Sequence, residues 1–137
     1  MKEIIIKGRG VYGGIAEGPA LISKETIQGW SGIDRNTGVI IEPDHPFQGY
    51  SLKGSVLIVN GGKGSVGWAT HFNELKILNM GPVAMIFPKI DSRTASAIVL
   101  ANVPAITDLN DDIFDVVNIG DWIKVDGNKG IIKVIKK

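Results

Sequence analysis

The sequence predicts a mixed α/β domain, a partly curled mixed sheet with two main helices packed on it. Three observations lead there. Short runs of Ile, Val and Leu recur between turn-forming residues, the pattern of buried strands. Two stretches between those runs carry helical signals, an apolar stripe in one and a capping residue before the other. The last segment alternates apolar and polar residues about a Gly-Asn turn, the pattern of a hairpin. In order, strands come first, then a strand–helix–strand–helix–strand core, then the closing hairpin.

Ile4 to Ile6 reads as a short buried strand. Tyr12 to Pro19 is rich in glycine and turns the chain, and Ala20 to Ser23 is the next strand. Residues 29–54 hold many Gly, Pro, Asn and Asp residues and read mostly as loop, with a short strand at Val39 to Ile41. Val56-Leu57-Ile58-Val59 is an unbroken apolar run and reads as the central, fully buried strand. A helix is expected from Val66 to Asn79, because Trp68, Phe72 and Leu75 recur at spacings of three or four. Gly81-Pro82 ends it, since proline cannot continue a helix. Val83 to Phe87 is a second buried strand. Residues 92–101 form the second helix, capped by Asp91 or Ser92. Asn102 to Ile106 enters another strand, and residues 121–134 close the fold as a hairpin. With no repeat, low-complexity tract or linker, residues 1–137 form a single domain.

Composition narrows the function classes. The chain has 137 residues, 44% hydrophobic and 21% charged, enough to bury a core. A formal net charge of +1 is no footprint for nucleic acid or an anionic membrane. The apolar run Ile4-Ile5-Ile6 is too short for a signal peptide, and no segment is long enough to span a bilayer, so a soluble cytoplasmic protein is expected. Asp108, Asp111, Asp112 and Asp115 are acidic and the C-terminal lysines basic, which reads as solvated surface. Cysteine is absent, so the chain offers no thiol nucleophile, disulfide or thiolate-held metal.

The 18 glycines concentrate attention on Gly61-Gly62-Lys63-Gly64-Ser65, between the central strand and the first helix. Ligands of α/β sheets gather at the carboxyl ends of strands. A helix start favours an anion, glycines admit close backbone approach, and Lys63 adds a charge. A carboxylate or phosphate is therefore expected against Gly62, Lys63 and Gly64. Ser65 has two readings. It is an N-cap, or its hydroxyl is activated by neighbouring N–H dipoles and Lys63 as a base or nucleophile. The turn is not a P-loop or a nucleophile elbow, because Lys63 stands at the wrong offset for each, and it is not a dinucleotide fingerprint, because no acidic residue lies about 20 residues beyond its glycines. His45 reads as a loop residue and His71 as a boundary histidine on the helix. No third ligand announces a metal site, and none is expected in this chain.

These segments, in order, resemble the small subunit of the aconitase X family of hydro-lyases, from about Gly8 to Ile106. The resemblance rests on Glu17-Gly18-Pro19-Ala20-Leu21, Gly32-Ile33-Asp34 with Thr37-Gly38, and His45-Pro46 with Gly49. It continues through Gly61 to Ser65, Gly81-Pro82-Val83-Ala84 and Val103-Pro104. After Ser65 the chain departs from the family, with Val66-Gly67-Trp68 where many members have further serines. The resemblance implies a swivelling β/β/α domain with a partly barrel-like mixed sheet. It implies a cysteine-containing large subunit that carries an iron–sulfur cluster or iron, with the active site between the two. It assigns Ser65 as the catalytic base and a small anionic substrate of the phosphomevalonate or cis-3-hydroxyproline class. Two other readings stand beside it. A phosphohistidine-type swivelling domain has a similar closing hairpin, but His71 lies nine residues after Gly62, too far along the helix. A binding or scaffold domain without catalysis is the other.

Overall fold

The computed structural model describes residues 2–136, apart from the side chains at 29, 30 and 66. Eight strands form the sheet: β1 (Lys2–Lys7), β2 (Arg9–Tyr12), β3 (Ile15–Ser23), β4 (Val56–Val59), β5 (Ala84–Ile86), β6 (Ala105–Thr107), β7 (Trp122–Asp126) and β8 (Ile131–Lys136). Among the described residues, four α-helices accompany them: α1 (Gly29–Gly32), α2 (Thr70–Ile77), α3 (Ser92–Ala101) and α4 (Ile113–Val116). The strand order is β1-β8-β7-β3-β4-β5-β6-β2. Only Gly8 separates β1 from β2, yet the two lie at opposite edges of the sheet. The chain thus joins the two edges, which curls the sheet into a half-barrel, the mixed and partly barrel-like architecture expected.

β3 is the seam. Its first half pairs antiparallel with β7, from Ile15 opposite Asp126 to Pro19 opposite Trp122. Its second half pairs parallel with β4, from Ala20 opposite Val56 to Ser23 opposite Val59. Pro19 sits where the partner changes, a place where a missing N–H is tolerated. β4, β5 and β6 then run parallel, each adding to the last.

Alternation along these strands builds two cores. Leu57 and Val59 of β4, with Met85 and Phe87, face Trp68, Phe72, Leu75, Ala97, Ile98 and Ala101 from the helical side. Val56 and Ile58, with Ala84, Ile86 and Ile106, face the inside of the curl against Ile6, Ile123, Val125, Ile132 and Val134. Both faces of β4 are therefore dry, which is why its sequence is apolar without interruption. α4 plugs the open side of the inner core with Ile113, while Val117 follows it in.

Several expectations change in detail. The first strand is an edge strand in which Ile6 is buried but Ile5 is 45% exposed, because β1 has one neighbour and one solvated face. The glycine-rich stretch at Tyr12–Pro19 is no broad turn. It contains the end of β2 and the first half of β3, whose pairing with the distant β7 overrides the local turn signal. Val39 to Ile41 makes only isolated bridges, Ile33 with Ile40 and Val39 with Ser51. That loop is held instead by Ile33, Ile40, Phe47 and Leu52, all buried in the helical core. The expected helix from Val66 to Asn79 divides into a 3₁₀ turn, Val66–Ala69, and α2, which ends at Ile77. Asn79 adopts φ 57°, a left-handed stop that asparagine tolerates. α3 spans Ser92–Ala101 as expected, with Asp91 as N-cap in a capping box with Thr94.

Closure of the barrel depends on bare backbone at Gly10. A Cβ there would stand 2.0 Å from the Gly127 carbonyl oxygen in the hairpin turn. Gly10→Ala is therefore expected to destabilise the fold by about 1–3 kcal/mol, the ordinary cost of overpacking. A lower urea midpoint at unchanged m-value would show it; an unchanged midpoint would mean the β2–hairpin contact is slack.

Candidate active site

The turn from Asn60 to Ser65 leaves the carboxyl end of β4 and is tied down from several directions. The Thr26 hydroxyl donates to the Gly61 carbonyl. Trp68 donates its indole N–H to the Ile27 carbonyl at 2.9 Å, anchoring the segment before α1 against the turn that follows. Glu42 receives the Gln28 N–H at 2.7 Å and pairs with the Lys63 ammonium at 3.7 Å. Arg93, on α3, donates to the Gly64 carbonyl at 3.0 Å. Gly62 is packed between the Trp68 ring and Arg93: a Cβ would stand 2.9 Å from the ring and 3.2 Å from the Arg93 Cβ. Gly64 adopts φ +70° and faces open space. The turn is anchored from four elements although its surface is solvated.

Ser65 sits at the end of this clamp with its side chain exposed. Its Oγ accepts the Gly67 N–H at 3.2 Å and caps the 3₁₀ turn. Capping uses a lone pair and leaves the hydroxyl hydrogen available. A hydrogen bond donated to Oγ also favours the ionised oxygen. The two readings of Ser65, cap and base, are thus chemically compatible.

The support for an anion differs from the one expected. The first turn after Ser65 is 3₁₀ and four residues long, so no α-helical amino terminus points at the site. What the turn offers instead is main chain. Among the described residues, the amides of Gly62, Lys63, Gly64 and Ser65 donate to no protein acceptor. Unsatisfied successive amides suit a carboxylate or phosphate oxygen. Lys63, Gly64 and Ser65 line a cleft of about 370 Å³ together with Gln28, Gly67, Trp68 and His71. Gly62 does not line it; it lies between Trp68 and Arg93 beneath.

Sequence reasoning missed Gln28, Glu42 and Arg93, which reach the turn from other elements and carry no local signal. His71 is buried rather than at the boundary. Arg35 donates to its Nδ1, so the proton of the neutral ring sits on Nε2, and Arg35 also pairs with Glu74. Burial, and after it the Arg35 charge, lower the His71 pKa below its ordinary 6.5, with Glu74 opposing.

Ligand atoms of Glu25, Glu42 and His45 lie within 4.8 Å of one another, the one grouping among the described residues with metal-like spacing. It does not suit a metal ion. His45 Nδ1 accepts the Phe47 N–H at 2.9 Å, and Nε2 donates toward the Glu25 and Thr26 carbonyls at 3.1 Å. Neither ring nitrogen keeps a lone pair for a metal.

The sequence profile of the aconitase X swivel domain matches residues 5–134. The chain is 37% identical over 129 residues to the phosphomevalonate dehydratase small subunit of Methanocella arvoryzae, covering 94% of this chain and 98% of that protein. It is 33% identical over 136 residues to the protein of the same name from Methanosarcina acetivorans, covering 99% and 94%. Its fold superposes on the holo-form of aconitase X from Thermococcus kodakaraensis with a TM-score of 0.86 and 25% identity, over 97% and 99% of the two chains.

His71 makes a prediction about pH. Its folded pKa is lower than the unfolded one, so the unfolded chain binds the proton more readily. Stability is therefore expected to fall as pH drops below 6.5 toward the lowered folded value. His71→Asn should flatten that part of the stability–pH curve, measured by urea unfolding between neutral and mildly acidic pH; an equally steep curve in the variant would assign the effect elsewhere.

Proposed function

The chain belongs to the aconitase X swivel domain family, and from that premise we propose that it is the small subunit of a phosphomevalonate dehydratase, supplying Ser65 as the base of an active site shared with a large subunit. The observation that carries this reading is Ser65 itself: an exposed hydroxyl on a clamped glycine turn, already accepting an N–H, beside a row of unsatisfied amides. The names of the relatives favour phosphomevalonate over a hydroxyproline, and it brings the two anionic groups, carboxylate and phosphate, that such a turn suits.

Dehydration breaks a C–H bond next to a carboxylate and the C–O bond on the neighbouring carbon, and the electron pair of the first becomes the double bond. The ionised Ser65 Oγ takes the proton and becomes a hydroxyl; the departing hydroxyl takes a proton from solvent and leaves as water, and Ser65 returns its own proton to solvent, so the net release is one water. The Gly67 N–H stabilises the ionised form, and the Lys63 charge on the same turn acts in the same direction. The amides of Lys63 and Gly64, which line the cleft, orient an anionic end of the substrate. A Lewis acid for the departing hydroxyl, an iron–sulfur cluster or iron, falls to cysteines of the large subunit, since this chain has no cysteine and ties up His45.

The exposure of Ser65 supports a two-subunit site. A base open to bulk water is poorly placed for such chemistry, and a second subunit over the cleft would exclude water. The setting proposed is cytoplasmic; among the described residues, no helix is long and apolar enough to cross a membrane.

Co-expression with the large subunit tests the proposal. The complex should convert phosphomevalonate to its anhydro product, followed by NMR, and this chain alone should not. Ser65→Ala in an intact complex should lower turnover by about 10²–10⁴-fold, the usual contribution of a positioned base. Turnover at the wild-type rate in that variant would place the base elsewhere.

A further inference from the structure

We propose that Arg93 is a positioning residue for Ser65, a clamp from α3 that sets the direction of the peptide joining Gly64 to Ser65. The inference rests on the reading of Ser65 as base, and nothing in the sequence of the turn points to it.

The clamp is a continuous chain of hydrogen bonds. Asp91 caps α3: its Oδ1 accepts the Thr94 N–H at 3.0 Å, and its own N–H donates to the Thr94 hydroxyl at 2.9 Å. The other oxygen, Oδ2, receives Arg93 through Nη2 at 2.9 Å and Nε at 3.3 Å. That two-point contact fixes the plane of the guanidinium and leaves Nη1 to donate to the Gly64 carbonyl at 3.0 Å. Arg93 is half-buried and its stem packs against Gly62, so the arm that carries the guanidinium is also confined.

Three consequences for Ser65 follow from the peptide unit. In a trans peptide the carbonyl and the following N–H point in opposite directions. A Gly64 carbonyl drawn toward Arg93 therefore turns the Ser65 N–H away from it. A charge-assisted bond to that carbonyl also polarises the same peptide and makes the Ser65 N–H a stronger donor. Finally, Gly64 sits at φ +70° with open space where a side chain would stand, and Arg93 is the one protein donor to its carbonyl among the described residues, so Arg93 restrains the rotation of this peptide. Without the clamp, the peptide would turn and carry the Ser65 backbone with it. Lysine keeps the positive charge and one donor but cannot hold Asp91 and Gly64 in a fixed plane.

The experiment uses the co-expressed complex and three variants, Arg93→Met, Arg93→Lys and Ser65→Ala. Arg93→Met should lower kcat by about tenfold or more, since misplacing a reacting group is costly. KM should move less than kcat, complex assembly should persist, and Arg93→Lys should recover part of the rate. In ¹⁵N-labelled full-length chain, the Ser65 amide resonance should shift in Arg93→Met, because its peptide has lost the bond at the carbonyl. Wild-type kcat in Arg93→Met beside an inactive Ser65→Ala would overturn the clamp and leave the base in place. Loss of rate in proportion to loss of assembled complex would reduce Arg93 to a stabilising residue and overturn it too. An active Ser65→Ala would overturn the base, and the catalytic role of the clamp with it; the Ser65 resonance would then report only whether Arg93 orients the peptide.

Discussion

The structure depends on one strand serving two partners of opposite sense. β3 hydrogen-bonds antiparallel to β7 in its first half and parallel to β4 in its second. That switch joins the antiparallel part of the sheet, β1, β8 and β7, to the parallel part, β4, β5 and β6. The parallel part has to be covered by helices, because its connections cross over the sheet. β4 therefore lies between two cores and ends, at its carboxyl end, in the turn that bears Ser65. The antiparallel part closes the other side of the curl and needs no helix of comparable length.

The turn shows how a small domain anchors a loop without burying it. Each of its anchors comes from a different part of the chain: Thr26 before α1, Glu42 from the long loop, Trp68 from the 3₁₀ turn and Arg93 from α3. Carbonyl oxygens and the Lys63 side chain take up these anchors, and the amides are left over. The distribution is suited to an anion, since the groups satisfied by the protein are the acceptors and those left exposed are donors. The Lys63–Glu42 pair joins a half-exposed ammonium to a mostly buried carboxylate at 3.7 Å, and its effect is on the placement of the turn.

Much of this was legible in the sequence where the signal is local. The unbroken apolar run of β4 marked a strand with two dry faces, the cap at Asp91 or Ser92 marked α3, and alternation about a turn marked β7 and β8. β2, the first half of β3 and the division of the helix after Ser65 were not, because each is decided by contacts distant in sequence. β2 is a strand because it pairs with β6, Gly10 opposite Ile106, and Gly10 is bare because the hairpin turn 117 positions later comes against it. The candidate site divides in the same way. Lys63, Gly64 and Ser65 lie on one continuous segment and could be read from it, whereas Gly62, read as an anion contact, packs between Trp68 and Arg93 outside the cleft lining. Arg93, Glu42 and Gln28 meet that segment only in the folded chain, and a single sequence holds no sign that they converge.

The central claim is that Ser65 acts on the proton and not chiefly on the binding of substrate. Calorimetric titration of phosphomevalonate into the Ser65→Ala complex addresses it most directly, because the binding groups named here are main-chain amides and Lys63, which the substitution leaves in place. The account predicts affinity close to that of the wild-type complex with no heat of turnover following the binding heat. Loss of binding would contradict it, and would make Ser65 a binding group whose effect on catalysis is indirect.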